Sequence, residues 1–133
     1  MKILLFISIP ILLLSACSST PPAPQKMWNV VIAEDEDSTL SCAEIGNKIN
    51  YVEVTKNDVY SEQSNEDLRI SNLRMSTLTI TEPMLKPFAQ LTLQKAEQNY
   101  AQRMAYLESV KEKLKAKRDH LSRLNSYQCG RDA

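Results

Sequence analysis

Apolar residues in the last third of the chain recur at alternating three- and four-residue intervals. Leu93, Ala96, Tyr100, Leu107, Val110, Leu114, Leu121 and Leu124 form a seam about four heptads long, interrupted by Arg103 and Lys117. Such spacing puts the apolar side chains on one face of an α-helix and leaves the other faces polar. No proline or glycine lies between Phe88 and Cys129, and Gly130 stands ready as a C-cap. The pattern predicts one helix over 87–129, about 43 residues and about 64 Å long.

A second stripe runs upstream through Cys42, Ile45, Ile49, Val52, Val59, Ile70, Leu73 and Ile80, with polar interruptions at Lys56, Gln63 and Glu66. Ser41 and Glu44 have capping-box spacing, so this helix should begin there. The polar stretch Ser61–Glu66 reads as a break in it. Leu68, Leu73 and Leu78 also recur every five residues, like a pentapeptide repeat. Three such units make less than one coil of a solenoid and could not stand alone, so the segment is read as irregular helix. Between the two stripes, Thr81–Pro87 carries two prolines, with Thr81 as the expected N-cap of the second helix.

A polar-backed helix of this length must cover its seam, and the 41–80 arm is the internal partner. If Cys42 bonds Cys129 across antiparallel arms, facing residue numbers add to about 171 and the turn centres near 85, where the prolines lie. Charge agrees with that pairing. Glu34 to Asp67 holds ten acids and two lysines, whereas Lys86 to Arg131 holds ten bases and four acids. The register sets Glu53, Asp58 and Glu62 toward Arg118, Lys113 and Ser109, which favours this orientation over wrong pairings. The basic run Lys111–Arg118 could otherwise meet anionic lipid, but the acidic arm is placed to neutralise it. The expected fold is all-α: a long antiparallel helical hairpin over 41–133, closed at its open end by one disulfide and preceded by a flexible tether.

The N-terminal end has a different texture. Met1-Lys2 precedes twelve residues, Ile3 to Leu14, that are apolar apart from Ser8 and Pro10. That run is shorter than the ~20 residues of a bilayer span and has the length of a signal-peptide core. It ends in Leu14-Ser15-Ala16-Cys17, which resembles the lipobox of bacterial lipoproteins. The resemblance implies cleavage before Cys17 and lipidation of its thiol and new amine. Residues 1–16 are then a signal peptide, and acyl chains anchor the rest to a membrane. Ser18, where a retained lipoprotein would often carry Asp, favours the outer membrane of a Gram-negative envelope.

Residues 17–26 are polar and rich in proline, and read as the lipid-anchored tether. Residues 27–40 form an apolar arm followed by an acidic linker. The arm, Met27–Ala33, holds the single tryptophan and leaves three readings open: a cover docked on the core, a lone strand, or a partner-binding peptide using Trp28, Val30 and Ile32. The quartet Glu34–Asp37 lacks the ligand spacing and turn glycine of a calcium loop and is expected to be solvated.

Composition narrows the function. The chain has 133 residues, zero formal net charge, two glycines, three cysteines and one histidine. So few glycines exclude Gly-rich phosphate loops and nucleophile elbows, and the charge balance gives no footprint for nucleic acid. With Cys17 lipidated, Cys42 and Cys129 are an even pair in an oxidising compartment and are expected to close. Two thiols and His120 are too few for a metal site, and neither metal nor cofactor is expected. His120, beside Asp119, reads as a surface histidine, and no nucleophile–base pair or small-molecule substrate pocket is foreseen.

The expectation is a non-catalytic interaction or structural lipoprotein of the envelope, bound to a protein partner. The alternative is a small inhibitor or exclusion lipoprotein that blocks a secreted enzyme or a conjugation or secretion machine. The mature part loosely resembles small, uncharacterised exported bacterial proteins that open with Ser-Cys-x-Glu-Ile and end near Cys-Gly. That resemblance implies a disulfide-linked hairpin and no activity.

Overall fold

A computed structural model of the chain describes residues 25–130. Two helices dominate it, α1 (Cys42–Leu78) and α2 (Lys86–Cys129), preceded by a short 3-10 helix at Asp35–Thr39. They lie antiparallel as a hairpin, about 55 and 66 Å long by their 37 and 44 residues. Cys42 and Cys129 are disulfide-bonded across the open end, with Cα atoms 5.8 Å apart.

The start of α1 follows the sequence signal. Ser41 Oγ accepts from the Glu44 N–H, and the Ser41 N–H donates to Glu44 Oε2 at 2.8 Å, so two otherwise unpaired donors are satisfied reciprocally. The Ser41 hydroxyl, donating to Glu44 Oε2 at 2.6 Å, and then the Ser41 N–H hold the Glu44 carboxyl below its ordinary range. Glu44 also adds negative charge to the first turn, where the helix dipole favours it.

Two local expectations need correction. The break foreseen at Ser61–Glu66 is absent, and α1 continues through it. The polar side chains there have partners: Glu62 reaches Arg103, Gln63 reaches Glu108 and Glu66 reaches Arg69. The second helix begins at Lys86 with Leu85 as its N-cap, not at Thr81. A start at Thr81 would put Pro87 inside the helix, its ring against the carbonyl four residues back. Starting at Lys86 moves Pro87 into the first turn, where no N–H is needed. Gly130 does cap α2, but with φ −79° rather than in the left-handed region. A Cβ at that position would fall 2.6 Å from the Ser126 carbonyl oxygen.

The core is the predicted seam. Ile45, Val52 and Val59 of α1 meet Leu107, Val110, Leu114 and Leu121 of α2, all essentially without exposed surface. Trp28, Val30 and Leu40, from the segment before α1, pack against this cluster as a third layer. Toward the tip, Ile70 is the last buried residue, and Leu73, Thr77, Leu93 and Ala96 are only half-buried. The register holds along the whole length: Glu53–Arg118, Gln63–Glu108 and Glu97–Arg74 pair residues whose numbers add to 171. The first and last of these are separated by about 31 Å of helix.

Candidate functional site

The densest polar chemistry lies where the N-terminal arm crosses the hairpin. The arm follows α2 from its C-terminal end toward its middle. Gln128 Nε2 donates to the Ser38 carbonyl at 2.8 Å. Lys117 Nζ donates to the Val31 carbonyl at 2.9 Å and to Glu34 Oε1 at 2.6 Å. Tyr106 brackets Trp28, accepting from its N–H at 2.7 Å and donating to its carbonyl at 3.1 Å. Arg103 Nη2 donates to the Lys26 carbonyl at 2.7 Å and to Glu62 Oε1 at 2.9 Å. Its guanidinium carbon also lies 5.9 Å from the Trp28 ring centroid, and Lys26 Nζ lies 5.2 Å from it, within cation–π range.

These contacts explain the interrupted seam. Arg103 and Lys117 occupy core positions of the heptad pattern, and both turn out to be receptors for arm carbonyls. Arg103 is 4% exposed, so its charge needs the partners it has. An arm without periodicity gives no signal of its own, but the two cations placed in an apolar seam mark its track.

The acidic linker is also more than a solvated stretch. Asp35 and Glu36 are exposed, whereas Asp37 is 1% exposed. The Glu34 N–H donates to Asp37 Oδ2 at 2.9 Å, closing a capping box on the 3-10 helix. Lys48 Nζ reaches Glu34 at 2.6 Å and Asp37 at 2.7 Å. His120, expected at the open surface, is only a quarter exposed, with Nε2 3.2 Å from Asp37 Oδ2. Burial opposes ionisation of Asp37, but Lys48, the Glu34 N–H and the Lys117 charge outweigh it and leave its carboxyl below the ordinary range. Glu34 is held low chiefly by Lys117 and then by Lys48, and Lys48 is held high by Asp37 and Glu34. The arrangement neutralises charge between three segments; its chemistry is that of a lock.

Of the arm residues singled out in the sequence, Trp28 and Val30 face inward onto the core, and Ile32 stays 42% exposed. A groove of about 410 Å³ remains between arm and α1, lined by Trp28, Val31, Tyr51, Val54, Asp58 and Lys117. Asp58 does not face Lys113; it pairs with Lys26 of the arm at 2.7 Å. Glu62 likewise meets Arg103 rather than the neighbourhood of Ser109. Cys17 and its lipobox lie outside the described residues. Among the described residues, no group of three or more His, Cys, Asp or Glu side chains could hold a metal ion. No helix among them is long and apolar enough to cross a membrane.

No family model, curated protein or solved structure matches this chain. Its function rests on its own side chains. Besides the arm, they offer a further exposed feature, an apolar cluster at the hairpin tip. Met75, Leu78, Met84, Leu85, Phe88 and Leu91 are 52–83% exposed. The signal was available: these positions fall outside the two predicted seams, so no internal partner could cover them.

Proposed function

We infer that the chain is an envelope lipoprotein, anchored through lipid on Cys17 and favouring the outer membrane, whose disulfide-closed hairpin serves as a non-catalytic interaction or structural element for a protein partner. The apolar run ending in Leu14-Ser15-Ala16-Cys17 carries the reading. The Cys42–Cys129 bond supports it, because such a bond persists in oxidising compartments outside the cytosol. The long two-helix body, with a third layer that among the described residues comes from the arm, supports a scaffold rather than a substrate cleft.

Inhibition of the lipoprotein signal peptidase should leave a heavier, membrane-held precursor of the full chain. An unchanged mass would sink the lipoprotein reading. In vivo crosslinking with mass-spectrometric identification of captured proteins then tests the partner.

The inhibitory alternative draws support from Val31 and Ile32, which remain exposed on the docked arm beside the groove. Replacing both with Asp should leave the hairpin folded. Loss of capture of one specific envelope protein or incoming machine would favour an inhibitory arm, and unchanged capture would remove that alternative.

A further inference from the structure

The direction of the arm fixes where a lipid on Cys17 can be. From Ser38 to Lys26 the arm's partners on α2 pass from Gln128 through Lys117 and Tyr106 to Arg103. The described arm therefore begins at mid-length of the hairpin, with Lys26 at the level of Arg103. Nine residue steps lead from Cys17 to Lys26. Fully extended, they span at most about 30 Å. From Arg103 to the start of α2 at Lys86 is about 25 Å of helix, and from Arg103 to Cys129 about 39 Å. A tether of that length is long enough to reach the level of the tip and too short to reach the disulfide end.

The tip is where exposed large apolar side chains are concentrated. Leu85, Phe88 and Leu91 follow one another at three-residue steps across the start of α2, with Met84 four residues before Phe88. Met75 and Leu78 come from the end of α1. Between positions 74 and 97 the charged residues are Arg74, Lys86 and Lys95 against Glu82 and Glu97; Arg74 is paired with Glu97, which leaves Lys86 and Lys95 against the single acid Glu82. Apolar side chains ringed by more bases than acids suit the headgroup boundary of an anionic bilayer. There the apolar groups enter the acyl region and long cationic side chains stay among phosphates.

We propose that the hairpin tip is a bilayer-contact surface, with Met75, Leu78, Met84, Leu85, Phe88 and Leu91 seated in phospholipid of the leaflet that holds the Cys17 lipid. This rests on the lipoprotein reading and adds an orientation to it: tip toward the membrane, disulfide end away. A single lipid attachment leaves a domain free to tumble, whereas a second weak contact on the same surface becomes effectively intramolecular and fixes its pose.

The test uses the full precursor expressed in a Gram-negative host, with a benzophenone amino acid replacing Phe88 in one version and Tyr51, exposed in the disulfide half, in another. After irradiation, the intact mass, the acylation of Cys17 and the Cys42–Cys129 bond are read together. The expected result is a phospholipid adduct at position 88, about ten-fold or more above that at position 51, on chains that carry the Cys17 lipid and the disulfide. The same probe at Leu91 should repeat it. A protein adduct at 88, or equal lipid yields at 88 and 51, on chains acylated at Cys17 overturns the tip contact and leaves the lipoprotein reading standing. Chains without acyl groups on Cys17 overturn both.

Discussion

The two halves of the hairpin share one helix pair and one register, yet they are built differently. In the disulfide half, three segments meet: α1, α2 and an arm that adds Trp28, Val30 and Leu40 to the core. In the tip half two segments meet among the described residues, the seam side chains beyond Ile70 are half-buried, and large apolar groups are exposed. The difference shows that a two-helix seam alone buries little. Each helix of a pair can hide only one stripe, and a third surface is needed before residues such as Leu107 lose contact with water entirely. Stability therefore belongs to one half and exposed apolar surface to the other.

The largest expected effect comes from opening the end of the stable half. Replacing Cys42 and Cys129 with Ser removes closure of a loop with a sequence separation of 87 and should cost about 4–5 kcal/mol in the chain-entropy account. Urea unfolding followed by circular dichroism measures it. A loss near zero would mean that the third layer, not the bond, holds that half together.

Next comes a paired truncation. Leu107→Ala, at a fully buried site, should cost about 3 kcal/mol. Leu91→Ala, at an exposed tip site, should stay within about 0.5 kcal/mol. Equal costs would erase the distinction between the halves.

Acid should act on the arm through Glu34 and Asp37, which Lys48, Lys117 and His120 face. Both carboxyls are lowered in the folded chain, so their contribution is complete above the ordinary values of 4.5 and 3.8. It is lost as pH falls through the lower folded-state values. Trp28, the single tryptophan, reports arm release by fluorescence, and the tip half should show no matching transition. Opposite in sign is Gly46→Ala. Gly46 lies within α1 with open space around the added methyl, so the change should stabilise by about 1 kcal/mol.

How much of this was legible in the sequence follows the same division. The seam residues, the Ser41–Glu44 cap, the cysteine pair and the turn between the prolines are periodic or local signals, and each is read from spacing. Burial of Asp37 and the enclosure of His120 depend on where a segment without periodicity comes to rest. A net-acid quartet looks solvated until Lys48 and Lys117 arrive from two other segments. Arg103 and Lys117 were visible as interruptions, but an interruption says that something polar must be met and does not say what. Ser61–Glu66 looked like a break because polar residues crowd it, and α2 supplies the partners of Glu62 and Gln63 only once the hairpin has formed, while Glu66 pairs with Arg69 within α1.

The Cys42–Cys129 bond also changes what a cut would do. The whole turn between Leu78 and Lys86 lies inside the closed loop, and exposed loop tips are where proteases strike first. A single cleavage there releases no fragment: both helices travel on as one molecule and separate only when the cleaved chain is reduced. A protein built this way tolerates a nick at its exposed bend, and the damage becomes visible as two bands only on a reducing gel.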